Sequence, residues 1–388
     1  MNRGGADHDT RLAGHDTRVV ATALASLPGI GPQRLRLLIG ALGVAGAWRV
    51  VCGDVAAPEH IAAVLQHGDL HRELRRAATP ELLERVADSL KRGGIHVLLD
   101  SDLEYPASMR GDFAAPAVLF AKGDIRAFVN RRVGIVGTRA ASSAGRHFAR
   151  RLAHDLSRNG VSVVSGLARG IDAAAHRGVL DAATNVAADN AAPPIAVVAS
   201  GLDVVYPREH ADLWAAVAER GVVVSESPPG CAPDAFRFPL RNRILAMASE
   251  VLVVVESRAT GGSMITVDEA AKRGVVVMAV PGSPHSTTSA GTNALLAQGA
   301  GTVCDATDVL VALGIDHHRQ TTSSDARMRP TPADRVVIDA LARRPMTLEQ
   351  LVVHLQLPIA DVALRLGRLE AQGWTVVNGG WWEALLAS

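Results

Sequence analysis

The sequence lacks most of the features that announce a chemistry. Its three cysteines, Cys52, Cys231 and Cys304, lie far apart. That spacing excludes a disulfide framework and a cysteine-based metal site. Charge of neither sign prevails, with 40 Lys+Arg against 39 Asp+Glu and a net charge of +1. Any contact with nucleic acid must therefore use a local patch rather than a global field. No secretory signal is evident, and no apolar run reads as long enough to span a bilayer. Together with the sparse cysteines, these absences predict a cytoplasmic protein. The G-x-G-x-x-G fingerprint and the G-x-x-x-x-G-K loop are both missing. The second strand of the central region ends in Ser165-Gly166, where a dinucleotide-binding fold would carry an acid. These gaps argue against a nicotinamide enzyme and a P-loop NTPase. No triad or metal cluster is visible, so no catalytic residue, cofactor or metal is expected.

What is present is ample apolar sequence: 48% of the 388 residues are hydrophobic and 20% charged. This is enough for a sizeable core and two or three domains. Residues 1–18, with the repeated His-Asp-Thr-Arg at 8–11 and 15–18, read as a disordered tail. Residues 19–93 read as helical, with apolar spacing in Leu35–Leu42 and Glu81–Leu90. Residues 94–314 carry short β-branched runs at Ile95–Leu99, Val133–Val136, Val161–Val164, Ile195–Val198, Val222–Val224, Val251–Val255 and Val275–Val280. Helical segments such as Arg146–Arg158 and Ile171–Ala182 lie between them. That rhythm predicts an α/β domain with a largely parallel sheet covered on both faces. Residues 315–332 read as a linker. Residues 333–388 predict three helices and a hairpin turning at Asn378-Gly379-Gly380, the layout of a winged helix, with Trp374, Trp381 and Trp382 in its core.

In an open α/β sheet, ligands bind beyond the carboxyl ends of the strands. Phe238-Pro239-Leu240-Arg241-Asn242-Arg243 precedes one such strand and reads as a loop turning into a helix at Ile244–Ser249. Arginine forks suit phosphate. Gly137-Thr138-Arg139 follows the first run, Ser165-Gly166 with Arg169-Gly170 the second, and Gly262-Ser263 with Thr266 a later one. Gly282 and Asn293 shape the next loop. Residues 131–313 hold 17 Lys+Arg and 16 Asp+Glu, yet Arg139, Arg169, Arg237, Arg241 and Arg243 all fall in or beside these loops. A neutral domain with arginines on one edge fits a groove that tracks a nucleic-acid backbone. For Arg139 alone, a solvated arginine in a tight turn is the competing reading; for Arg243, deeper in the helix start, it is a structural pairing with Glu226 or Glu256. Asp172 and His176, one helical turn apart, read either as an acid–base pair or as a helix-start acid and its hydrogen-bond partner. Leu27-Pro28-Gly29-Ile30-Gly31-Pro32 reads as the turn of a helix-hairpin-helix or as a plain helix–helix turn. Residues 331–388 hold five arginines, no lysine and six acids, which favours a structural or protein-contact role despite Arg365 and Arg368.

The ordered set Val136–Arg139, Ser165–Asp172 with Ala175-His176, Tyr206-Pro207, Ser225-Glu226, Phe238–Arg243, Gly262–Thr266, Pro281-Gly282, Gly291–Asn293 and Gly299-Ala300 resembles the bacterial DNA-processing protein A family. Gly261, where that family usually has serine, and the Ala/Asn/Asp-rich stretch at 182–194 depart from its pattern. The resemblance implies an extended Rossmann-like domain, flanked by a SAM/helix-hairpin-helix-like helical domain and a winged helix. It implies binding and protection of single-stranded DNA, help in loading a RecA-type recombinase during natural transformation, and a homodimer formed through the Rossmann-like domain. Implied DNA contacts are Gly137, Thr138, Arg139, Ser165, Gly166, Arg169, Gly170, Phe238, Arg241, Asn242, Arg243, Gly262, Ser263, Thr266, Gly282 and Asn293. Two other classes stay open. One is a nucleotide phosphoribohydrolase of related fold, with Gly261-Gly262 and Glu269 as partial matches to its motif. The other is a recombinase-binding adaptor with little DNA affinity.

Overall fold

The computed structural model describes residues 16–65, 69–183, 191–315 and 330–385. The expected tail before residue 16, most of the 182–194 insertion and most of the expected linker lie outside them. Five helices come first: α1 (Thr17–Ser26), α2 (Pro32–Cys52), α3 (Glu59–Leu65), α4 (Leu70–Ala77) and α5 (Pro80–Gly93). The Asp16 side chain caps α1, so Thr17 and Arg18, read as tail from the sequence, are helical. Helix α2 corrects the expectation about long apolar runs. With 21 residues and a mean hydropathy of 1.6 over its most apolar 18-residue window, it is long and apolar enough to cross a membrane. Its backbone breaks at Gly43 (φ 67°), and Leu35, Leu38, Val44, Ala47 and Val51 pack into the core shared with α1. We read it as a core helix.

Among the described residues, nine strands then form one sheet in the order β1-β2-β6-β5-β4-β3-β7-β8-β9. They are β1 (His96–Leu99), β2 (Val118–Gly123), β3 (Arg131–Val136), β4 (Val161–Ser165), β5 (Ile195–Val197), β6 (Val222–Ser225), β7 (Val251–Val254), β8 (Val276–Ala279) and β9 (Gly301–Thr302). Pairing is parallel from β6 to β9, and β2 joins antiparallel to both β1 and β6. The valine-rich runs lack polar alternation because both faces are covered. Val133, Ile135, Val251 and Val253 feed one core, while Val136, Leu252 and Val254 feed the opposite one. On the first face lie α6 (Ser143–Arg158), α7 (Ile171–Ala182) and α12 (Ala306–Ala312); on the other lie α9 (Arg237–Ala248), α10 (Gly262–Ala271) and α11 (Ala290–Ala297). Helix α8 (Ala211–Arg220) shares a core with the N-terminal helices.

The chain lays β4, β5 and β6 outward on one side of β3, then returns to its other side with β7. The helices after β3 and β7 therefore leave toward opposite faces. The crevice between them is a topological switch point, the usual ligand site of such sheets.

A C-terminal unit contains α13 (Pro332–Arg343), α14 (Leu348–Leu355), α15 (Ile359–Ala371), and a sheet of β10 (Met346–Thr347), β12 (Trp381–Ala384) and β11 (Thr375–Asn378) in that order. Asn378 pairs with Trp381 across Gly379 and Gly380, both at positive φ, as a tight hairpin turn requires. Trp374 and Trp382 pack on the unit's core, but Trp381 is 45% exposed, so only two of the three expected core tryptophans serve there.

Helix α7 is buried along most of its length. Gly178 lets it approach α6, since a Cβ there would overlap the Arg150 carbonyl. His176 is fully buried and makes no hydrogen bond to Asp172. Burial, opposed by the Ser165 backbone and reinforced by Arg241 and His210 nearby, lowers its pKa to about 4. An unfolded histidine takes up its proton near pH 6.5, whereas His176 resists until about 4. Between those values the unfolded chain binds more protons. Stability present above pH 6.5 is thus lost as pH falls toward 4, by at most about 3 kcal/mol. Thermal melts from pH 7.5 to 4.5 should show a falling midpoint, with a smaller fall in His176→Leu. Equal falls in both would exclude His176 as the titrating group.

Candidate nucleic-acid interface

The segment read as a loop from Phe238 to Arg243 is helical. Helix α9 begins at Arg237, with no side-chain cap at Phe236. Pro239 is tolerated because first-turn N–H groups have no intrahelical acceptor. Placing the arginines on a helix gives them different fates. Arg241 turns down beneath the crest, 7% exposed, and its Nη1 donates to the Val197 carbonyl at 2.6 Å. Arg243 donates from Nη2 to Glu226 Oε1 at 2.6 Å, with both side chains about nine-tenths buried. Asn242 Nδ2 reaches the Gly262 carbonyl at 3.5 Å, tying α9 to the start of α10.

The space for Arg241 comes from Gly166, where a Cβ would overlap the guanidinium. The same turn carries Leu167 at φ 53° and Gly170 at φ 76°, and a Cβ on Gly170 would overlap the Thr138 carbonyl. Asp172 completes the buried floor. Its Oδ2 accepts from the Gly166 N–H at 3.1 Å. Burial raises its pKa, opposed by Arg241 and by backbone N–H groups at Ala168 and Gly166. Burial likewise lowers the Arg241 pKa, opposed by Asp172. Neither sequence reading of Asp172 and His176 as bonded partners holds, because the Asp172 carboxylate turns to the Gly166 N–H instead.

Above this floor runs a groove of about 740 Å³ at the switch point, between the loop after β3 and the loop after β7. Arg139 is exposed at its rim, with Cζ 4.8 Å from the centroid of the Phe238 ring. Tyr206 packs on Phe238 at 5.8 Å and 56°. Arg258, also exposed, lines the groove near Gly261 and Gly262. A cation over an aromatic face, with a second ring beside it, offers a phosphate ligand and a stacking platform together.

Of the residues singled out from sequence, Gly137, Thr138, Arg139, Phe238, Arg241, Asn242, Gly262, Ser263 and Thr266 line this groove. Gly166 and Arg169 line a small adjoining pocket, where Arg169 pairs with Glu209 at 2.7 Å. Others hold the scaffold. Ser165 is fully buried and donates to the Ile135 carbonyl at 2.7 Å. Ser263, though it borders the groove, bonds Ser257 Oγ at 2.8 Å. Gly282 and Asn293 bond each other, at 3.1 and 3.0 Å, outside the groove. Arg243 is committed to Glu226 and lies outside the groove lining, the pairing that was the alternative to a phosphate contact there. Tyr206 and Arg258 were not singled out as contacts. The Tyr-Pro dipeptide was the available signal for the first; nothing marked the second, an arginine three residues before a glycine pair.

A sequence profile of the family described as DNA recombination-mediator protein A matches residues 96–314. The DNA processing protein DprA of Mycobacterium tuberculosis is 36% identical over 342 residues, covering 83% of this chain and 84% of that protein. The X-ray structure of DNA processing protein A from Streptococcus pneumoniae superposes with a TM-score of 0.62 at 27% identity, over 78% of this chain and 98% of that one. A Helicobacter pylori DNA processing protein A, whose structure is described for its single-stranded-DNA binding mode, gives 0.50 at 25% identity, over 58% and 97%. The chain belongs to the DNA recombination-mediator protein A family, and its groove occupies the segment that defines the family.

Proposed function

We propose that the switch-point groove binds single-stranded DNA and that the protein, acting in the cytoplasm, protects the strand and helps load a RecA-type recombinase during transformation. The single observation that carries the DNA reading is Arg139 lying over Phe238 above the buried Arg241. In this reading Arg139 and Arg258 hold phosphates at the rim, while Phe238 and Tyr206 stack bases without regard to sequence. Arg241 supplies fixed positive potential from below. The recombinase and transformation roles rest on family membership.

The phosphoribohydrolase alternative finds little support. Glu269 is engaged by Lys272 at 2.7 Å and Arg273 at 2.6 Å and lies outside the groove lining. Asp172 is held by backbone N–H groups. Purified protein should leave nucleoside monophosphates intact; release of free base would reopen that reading.

A homodimer through this domain is also proposed. Helix α11 carries half-buried Leu296 near the β8–β9 end of the sheet, where Val276 is 49% exposed. Leu296→Arg should shift a dimer toward monomer in light scattering. A folded variant that remains dimeric places the contact elsewhere.

The arginines separate by role in a salt titration. Each phosphate contact contributes about −0.7 to the slope of log affinity against log salt for a single strand. Arg139→Ala and Arg258→Ala should each flatten the slope by about that amount and leave the melting temperature close to wild type. Arg243→Ala should do the reverse, losing roughly 3–5 kcal/mol of stability by stranding Glu226 in its buried site while keeping the slope. Unchanged affinity in folded Arg139 and Arg258 variants would remove the groove from this account.

A further inference from the structure

A second cleft, of about 450 Å³, lies across the start of α9 from the groove. One wall is the α1–α2 turn, Leu27 to Pro32, with Arg34. The other is formed by the loops after β5 and β6 and by Phe236, Arg237 and Arg241. Phe236 is 61% exposed, and Arg237 Cζ stands 4.9 Å from its ring centroid. This repeats the arrangement of Arg139 on Phe238 two residues along the same helix start, so one Arg-capped aromatic borders each cavity. Arg34 Nη1 donates to the Gly29 carbonyl at 2.8 Å, which holds a cation beside the exposed Pro28-Gly29 turn. Arg241 lines both cavities, and its buried Nε has no acceptor. The one acid in the cleft lining, Glu226, is already bonded to Arg243. Arg237 also meets Asp234 at 3.5 Å, but with three arginines against one acid the lining itself is positive.

We propose that a single strand occupying the groove continues over the start of α9 into this cleft, stacking a further base on Phe236 and placing a phosphate at Arg34. This inference rests on the reading of the groove as a single-stranded-DNA site. It gives the N-terminal helices a direct part in binding, through a turn whose two glycines and flanking prolines keep side chains away from the strand. Stacking accounts for the exposed ring, and the cations on both walls account for the choice of a polyanion over an apolar peptide.

The test is a titration of oligothymidylates of increasing length against the full-length protein. Phe236→Ala should weaken binding of long oligomers about fivefold or more, the scale of one lost base–aromatic stack. It should leave unchanged the shortest oligomers that still bind. Phe236→Trp should restore the affinity, because the indole also stacks. Arg34→Ala should flatten the salt slope by about 0.7 for long oligomers only. Thermal melts confirm that each variant is folded. If Phe238→Ala weakens binding while Phe236→Ala and Arg34→Ala leave every length unchanged, the cleft is not part of the DNA path and the groove reading stands. If the wild-type protein binds no oligomer, both readings fall.

Discussion

A guanidinium held out of water beneath the sheet crest constrains everything around it. Arg241 is 7% exposed, and desolvating a cation to that degree is costly unless its surroundings return the lost hydration. Here the Val197 carbonyl accepts from Nη1, and Asp172 supplies the opposing charge. Asp172 is itself buried, and Arg241 with the backbone of its own turn opposes the rise in pKa that burial causes. Each charge is tolerable only with the other in place. The rest follows from geometry. Gly166 must lack a side chain, because the guanidinium fills that space. The turn after it must tighten so that α7 starts at Ile171 and presents Asp172. Helix α9 must begin early enough that Arg241 falls on its inner face. Loops after β4 and β5 and the start of α9 are thereby locked to one another.

That locking explains how a protein of net charge +1 can offer a polyanion a defined site. The permanent charge is placed by packing, and the rim charges of Arg139 and Arg258 are left exposed above it. Preorganised donors do not have to be ordered when the ligand arrives, so less of the interaction energy is lost to side-chain entropy. The aromatic face of Phe238 further restricts Arg139, which is held over the ring rather than spread into solvent.

The sheet was legible because its signal is physical and local. Unbroken valine runs such as 161–164 and 251–255 can be stable only where both faces are covered, and both were found so. The hairpin at Gly379-Gly380 was legible because its backbone needs positive φ twice in succession. The start of α9 was not, since Pro239 reads as a loop and Phe236 offers no cap. Nor could periodicity say which arginine of Arg241-Asn242-Arg243 would be buried, exposed or paired, because that depends on what the opposite wall presents. Arg243 was open to either Glu226 or Glu256. It meets Glu226 because Glu256 is already spent at the start of α6, accepting from the Ser142 N–H at 2.9 Å and its hydroxyl at 2.6 Å.

The same reasoning about committed charges bears on the C-terminal unit. Two arginines on α15 are the features that would suit a DNA-reading helix, yet both are engaged at home. Arg365 Nη1 donates to the Ala333 carbonyl at 2.6 Å, and Arg368 Nη2 to Asp334 Oδ1 at 2.8 Å. Asp334 is fully buried and also accepts from the Thr331 hydroxyl that caps α13. Moving Arg368 to a phosphate would leave a buried carboxylate without its cation, a penalty larger than an exposed phosphate contact returns. The arginines thus clamp α15 to the start of α13. With five arginines against six acids in 331–388, the unit also lacks the basic surplus of a major-groove reader.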